Sequence, residues 1–89
     1  MNAVITVIGK DKIGIIAEIT TVLAKYHVNI LDISQTILQD YFTMIMIVDL
    51  LKMNISFDQL SNNLSEIGEE FGLSVKIQHQ DIFNAMHKI

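Results

Sequence analysis

A glycine-flanked, lysine-bearing segment near the N-terminus is the part of this sequence best suited to bind an anion. It runs from Gly9 to Gly14 as Gly-Lys-Asp-Lys-Ile-Gly and comes directly before a segment with helical periodicity. The first backbone N–H groups of a helix lack partners and carry partial positive charge, so they attract anions. Gly14 would let a ligand approach the backbone closely, and Lys10 and Lys12 add positive charge. The segment therefore favours a carboxylate site.

Each of these residues also has a structural interpretation. Gly9 and Gly14 can serve only turn geometry and helix–strand packing, and Asp11 is expected mainly to be the N-cap of the helix. Asn29 begins a later strand and could reach the same pocket through its amide, or could act only as a turn residue. The aliphatic side chains nearby are expected mostly in the core or an interface, with ligand contact secondary: Ile13, Ile15 and Ile16.

The three histidines form no recognisable metal or catalytic motif. His79 and His87 flank Asp81, but their spacing matches no common ligand pattern, so a surface or partly packed role is expected. His27 lies at a helix exit, where it can interact with free carbonyls. No Ser-His-Asp order, paired carboxylates or metal cluster stands out as a catalytic constellation. We therefore expect no enzymatic activity and no metal or cofactor.

The composition narrows the function further. The 89 residues are 51% hydrophobic and 18% charged, with six lysines, no arginine and a formal net charge of −4. Nucleic-acid binding depends on basic side chains that contact phosphate, and recognition of bases often uses arginine. Because this chain is acidic and has no arginine, direct nucleic-acid binding is not expected. A chain this short buries only about 60–65% of its unfolded surface. The apolar surplus therefore favours self-association.

The cysteine content, the length of the apolar runs and the N-terminal sequence bear on cellular location and domain count. The absence of cysteine excludes disulfides and thiolate sites. The longest apolar run, residues 44–48, is far shorter than the roughly 20 residues that span a membrane, and the N-terminus does not resemble a signal peptide. We expect one cytoplasmic domain over residues 1–89, with a core at 1–79 and a docking helix at 81–89.

Hydrophobic periodicity predicts six core elements in the order β-α-β-β-α-β. The predicted strands cover residues 3–8, 27–38, 41–50 and 73–78, and the predicted helices cover 15–26 and 57–71. The first strand is expected to be central and buried on both faces because it is short and mostly apolar. A tail helix, residues 81–89, is expected to be capped by Asp81. This order predicts a ferredoxin-like α+β sandwich, with a four-stranded antiparallel sheet and two helices on one face.

The second core helix has the clearest boundary signals. Ser56 and Gln59 form a capping-box pattern, and Gly72 is placed to end the helix at a left-handed residue. Gly68 inside the helix costs about 1 kcal/mol relative to alanine. Its presence predicts close packing or an early helix end.

The chain resembles the ACT domain family across residues 1–79. The resemblance rests on Asp11-Lys12-Ile13-Gly14-Ile15-Ile16-Ala17-Glu18-Ile19 at the first helix and on Val28-Asn29-Ile30 at the second strand. The family often has proline where this chain has Ile13. The tail Ile82-Phe83-Asn84-Ala85-Met86 resembles that of short stand-alone bacterial ACT proteins with no assigned activity, and glycine-cleavage regulators are a more distant likeness.

This resemblance implies a small-molecule ligand, an amino acid or related metabolite, bound near the loop between the first strand and first helix. It implies ligand contacts from Lys10, Asp11, Lys12, Ile13, Gly14, Ile15, Asn29 and Ile30. It also implies a homodimer paired through the edge strand, residues 29–38, and a possible protein partner. Two alternatives stay open: a protein-interaction or structural subunit without a working ligand site, and an enzyme of acylphosphatase-like topology. The enzyme is disfavoured because the chain lacks the arginine of an acylphosphatase phosphate cradle.

Overall fold

The computed structural model describes residues 1–10 and 14–87, with side chains described to residue 84. Its elements are β1 (Asn2–Lys10), α1 (Ile15–Lys25), β2 (Asn29–Leu38), β3 (Tyr41–Asp49), α2 (Phe57–Phe71), β4 (Ser74–His79) and α3 (Gln80–His87). The four strands form one antiparallel sheet in the order β2-β3-β1-β4. The predicted ferredoxin-like order with a short C-terminal helix is therefore confirmed.

One face of the sheet is buried under α1 and α2. Alternate residues of the two central strands point to this face and are almost completely buried: Ala3, Ile5, Val7, Phe42, Met44, Met46 and Val48. They form one core cluster with Ile15, Ile19 and Leu23 of α1 and with Leu60, Leu64 and Ile67 of α2. Helical side chains three or four positions apart therefore pack against strand side chains two positions apart.

The opposite face of the sheet is only partly covered. α3 contacts β1 and β4, and Val4, which points to this face, is buried but lies outside the main core cluster. Four residues further along the same strand, Ile8 is 49% exposed. The prediction that β1 is buried on both faces is therefore wrong for the half near Lys10, where the described part of the chain leaves Ile8 exposed.

β2 forms one edge of the sheet and is the least buried strand. All its residues are exposed except the half-buried Ile30. Ile33 and Ile37 pair with the buried Met46 and Phe42 and so point to the helical face, yet they remain exposed. We infer that α1 lies above β3 and leaves β2 uncovered.

Most of the predicted helix boundaries agree with the structure. The Ser56 hydroxyl accepts a hydrogen bond from the Gln59 N–H, the Gln59 side chain accepts one from the Ser56 N–H, and Gly72 ends α2 in the left-handed conformation. Gly68 is buried, and a Cβ at this position would lie 2.7 Å from the Leu73 carbonyl oxygen. Its predicted close packing is thus confirmed.

Two predicted caps are wrong. The N-cap of α1 is Gly14, three residues after Asp11, which itself lies outside the described residues. α3 begins at Gln80, so Asp81 lies inside its first turn and does not cap it. The last two residues of the predicted tail helix lie outside the described part of the chain. Among the described residues, no helix is long and apolar enough to cross a membrane.

Candidate functional site

α1 starts at an exposed glycine. Gly14 is exposed, with φ 89° and ψ −6°. Its carbonyl accepts the first helical hydrogen bond, from the Glu18 N–H at 2.9 Å. The N–H groups of the three intervening residues therefore have no partner within the helix. No side chain of the described residues caps them, and the predicted anion site at this end of α1 stays a prediction.

The residues around this helix start contribute unequally. Lys10 ends β1 and is exposed, so its ammonium is free to approach an anion at the helix start. Ile15 is 1% exposed and belongs to the core, so only its backbone N–H could touch a ligand. Asp11, Lys12 and Ile13 lie outside the described residues, and their predicted contacts with a ligand stay predictions.

Gly9 has a packing role. A Cβ at this position would lie 2.2 Å from Cδ2 of Leu73, the residue that precedes β4. This separation is far below van der Waals contact, so a side chain at position 9 would force the Leu73 side chain to move. The structural interpretation of Gly9 is therefore the supported one.

Asn29 lies far from Gly14 within one chain. Asn29 pairs with Asp49, which pairs with Asn2, so it is level with the beginning of β1. Lys10 is eight residues further along that strand, about 26 Å away at 3.3 Å per residue. Asn29 therefore cannot reach a pocket beside Gly14 of its own chain, and its predicted ligand contact stays a prediction that requires a second copy. Ile30, next to it, is half-buried against the core.

Asn29 instead lines a cleft at the other end of the sheet. The cleft has a volume of about 500 Å³ and lies between the α1–β2 and β3–α2 connections. Its lining residues are Ala24, His27, Val28, Asn29, Asp49, Leu51 and Lys52. It carries charges of both signs, since Asp49 and Lys52 are both present. Apart from Asn29, sequence reasoning did not propose these residues for ligand binding, because two connections far apart in the chain build the cleft.

The Asp49 carboxylate is already engaged at the edge of this cleft. Its Oδ1 accepts a hydrogen bond from the Leu51 N–H at 3.0 Å and lies 3.8 Å from the N-terminal ammonium of Met1. One contact fixes the turn after β3, and the other shows that an ammonium group can reach this carboxylate.

The predicted partly packed role is confirmed for His79. Its ring stacks on Phe57, with centroids 4.2 Å apart and an interplanar angle of 16°. Within residues 1–10 and 14–84, the side chains form no group of three or more His, Cys, Asp or Glu suited to hold a metal ion. The exposed helix start at Gly14 and the mixed-charge cleft beside Asn29 are thus candidate binding features of the described residues.

Known proteins resemble this chain along nearly its whole length. A family model described as ACT domain matches residues 2–78. A UPF0237 protein of Clostridium acetobutylicum is 55% identical over 89 residues, covering both chains completely. The solved structure of an ACT domain protein from Streptococcus pneumoniae is 41% identical, with a TM-score of 0.79 and 98% of each chain covered.

A more distantly related solved structure is similar to this chain in fold alone. The crystal structure of a candidate glycine cleavage system transcriptional repressor aligns with a TM-score of 0.71 at 22% identity. The alignment covers 86% of this chain and 44% of that chain. The resemblance to glycine-cleavage regulators is thus confirmed as a similarity of architecture.

Proposed function

Because this chain belongs to the ACT domain family, we propose that it is a regulatory module that senses an amino acid or related metabolite at a homodimer interface. ACT domains are regulatory ligand-binding modules. The observation that carries the proposal is the exposed start of α1, where no side chain of the described residues caps the first N–H groups after Gly14. A ligand carboxylate bound there would accept these hydrogen bonds and gain from the helix dipole.

The proposed dimer forms by pairing of two β2 edges. An edge strand presents a row of unpaired backbone groups that another strand can complete. β2 also exposes large apolar side chains, with Leu31 at 50%, Ile37 at 60% and Leu38 at 73%. Pairing two copies would bury these side chains and extend the sheet to eight strands.

Such pairing would bring the separated site residues together. Two-fold antiparallel pairing about the midpoint of β2 sets residue 29 of one copy opposite residue 38 of the other. Leu38 pairs with Tyr41, and Tyr41 pairs with Lys10. Asn29 of the partner subunit would then lie at the Lys10 end of the sheet, the end at which α1 starts. The predicted contacts of Asn29 and Gly14 with one ligand are possible in this dimer.

The expected affinity suits a metabolite sensor. Each charge-assisted hydrogen bond contributes about 1.5–3 kcal/mol. Two or three such bonds to a carboxylate would give dissociation constants from millimolar to micromolar. The module would act in the cytoplasm, where amino-acid pools are held, and would pass its ligand state to a protein partner. We expect no catalytic role and no cofactor.

Titration with a panel of amino acids tests this proposal. We expect saturable heat for at least one compound and NMR shifts of the backbone amides from Gly14 to Ala17. Gly14→Asn should weaken binding, because asparagine tolerates a left-handed backbone and its side chain would occupy the bare helix start. Gly72→Asn is the matched control, since Gly72 also has positive φ and free space among the described residues.

The titration also separates the proposal from its main alternative. The exposed apolar side chains of β2 would equally suit a protein-interaction subunit with no ligand site. If a well-folded protein shows no binding heat with any amino acid of the panel, that result would support the alternative. Binding that Gly14→Asn and Gly72→Asn reduce equally would refute the assignment of the ligand to the start of α1.

A further inference from the structure

We propose that the open face of the sheet, the one opposite α1 and α2, binds a second copy of this chain, with α3 of each copy covering the half of β1 that its own α3 leaves exposed. This face is separate from the start of α1 and from the β2 edge, so the inference goes beyond the proposed function. It gives a role to exposed apolar residues that neither the ligand site nor the β2 pairing involves.

The open face carries an exposed apolar patch at one end. The register of β1 with β3 places Tyr41 and Ile45 diagonally across from Ile8 on this face, within reach of large side chains. Ile8 is 49% exposed, Tyr41 58% and Ile45 36%. Contiguous exposed apolar side chains of this kind mark interaction surfaces.

α3 covers the other end of the same strand. Asp81 lines a cleft with Met1 and Asn2, so α3 begins at the Asn2 end, and it contacts β1 and β4. Val4, at this end, is 5% exposed. Ile8 lies four residues, or about 13 Å, further along β1, and a helix has a diameter of about 10–12 Å. One further helix therefore fits beside α3 on the open face.

A two-fold axis supplies that helix from a second copy. When two open faces meet and the axis runs across the strands, the strand direction is reversed between the copies. The Asn2 end of one copy then lies over the Lys10 end of the other, and each α3 enters the space beside the other α3. Ile82 on α3 is 51% exposed, so part of its side chain is available to contact Ile8 of the partner subunit. The helix on each face thus meets the uncovered half of the opposite face.

The charges at the two ends favour this axis over one that runs along the strands. Asp81 is exposed in the first turn of α3, and Lys10 is exposed at the end of β1. The crossing axis brings Asp81 of each copy over Lys10 of the other, so two pairs of opposite charge form. An axis along the strands would bring Asp81 over Asp49 of the partner subunit, which the register puts on the open face, and like charges repel. Lys76 also lies on this face, but on the edge strand β4, where a long side chain can turn to solvent.

This interface is compatible with β2 pairing and joins two β2-paired dimers, a step in which the inference rests on the proposed dimer. The axis of β2 pairing is perpendicular to the sheet and the open-face axis is parallel to it, so together they generate a tetramer with three perpendicular two-fold axes. One open-face contact involves a short helix and a few exposed side chains, so it is weak alone. Two dimers make two such contacts at once, and this multivalency strengthens their association.

Cross-linking tests the contact directly, because the chain has no cysteine. Ile8→Cys and Ile82→Cys are co-expressed as separate chains with tags of different size and treated with a short bis-maleimide. We expect a cross-linked product that contains one chain of each kind. In the control, Ser65→Cys, at an exposed position on α2, replaces Ile8→Cys and should give no such product. Absence of the mixed product, or an equal yield in the control, would overturn the proposal.

Charge reversal adds a quantitative test by sedimentation equilibrium without ligand. Each exposed pair of Lys10 with Asp81 is weak, but the tetramer contains four of them. Lys10→Glu should therefore raise the dissociation constant of the tetramer into dimers by at least about fourfold. Asp81→Lys should have the same effect, and the double variant should restore the affinity. Single variants that associate like the unmodified protein, or a double variant that restores nothing, would contradict the pairing.

The outcomes separate this inference from the proposed function. A stable dimer that never forms tetramers, yet dissociates in Ile37→Lys and binds an amino acid, would overturn the open-face interface and leave the proposed function standing. If the unmodified protein is a monomer at all concentrations, the proposed dimer and this inference fall together.

Discussion

Substitution of Ile37 by lysine should break the proposed homodimer while leaving the fold of each copy intact. Ile37 is 60% exposed in the single chain, and it would lie opposite Ile30 of the partner subunit in the midpoint pairing. Complete burial of an isoleucine side chain stabilises by about 1.5–3 kcal/mol, so burial of the exposed part is worth about 0.9–1.8 kcal/mol per copy. The two-fold axis doubles this effect to about 2–4 kcal/mol. Ile37→Lys should therefore raise the dimer dissociation constant by about 20- to 400-fold.

Sedimentation equilibrium over a concentration series measures this change directly. Ser65→Lys is the control, because it adds the same charge at an exposed position on α2, away from the edge strand. Circular dichroism and thermal unfolding of the dissociated Ile37→Lys protein should show a folded monomer. A dimer that dissociates no more readily in Ile37→Lys than in Ser65→Lys would refute pairing through β2.

Two further predictions concern the packing and capping of α2. Gly68→Ala gains about 1 kcal/mol of helix propensity, but its Cβ would meet the Leu73 carbonyl at 2.7 Å. Overpacking of this kind costs about 1–3 kcal/mol, so urea unfolding should show a net loss of stability, and a more stable variant would contradict the close packing. Ser56→Ala removes the hydroxyl that accepts from the Gln59 N–H and should lower the free energy of unfolding by about 1 kcal/mol. An unchanged urea midpoint would show that the capping box contributes nothing.

The sequence predicted the elements well where local signals decide them. The capping box at Ser56 and the left-handed residue Gly72 depend only on neighbouring residues, and both boundaries of α2 agree with the structure. The N-cap of α1 was predicted wrongly because an aspartate is the better capping residue by type. The chain instead begins this helix at Gly14, whose left-handed backbone is a conformation that glycine adopts without steric cost.

The candidate site was harder to predict because it depends on strand order. Asn29 and Gly14 are 15 positions apart in the sequence, yet the register of β1, β3 and β2 sets them at opposite ends of the sheet. Asp49 and Lys52 join Asn29 in one cleft only through the pairing of β2 with β3. No local spacing in the sequence encodes either relationship.

A ligand bound between two copies would make dimerisation itself depend on the metabolite. If the site exists only in the dimer, each occupied site stabilises the dimer by RT ln(1 + [L]/Kd). At a ligand concentration of about ten times Kd, each site adds about 1.4 kcal/mol, and the two sites together tighten the dimer about 100-fold. The moderately apolar edge of β2 then has a regulatory use. If two β2 edges paired very tightly without ligand, the chain would always be dimeric and the ligand could not change the fraction of dimer. A partner that recognises only the dimer would thereby respond to the metabolite without touching it.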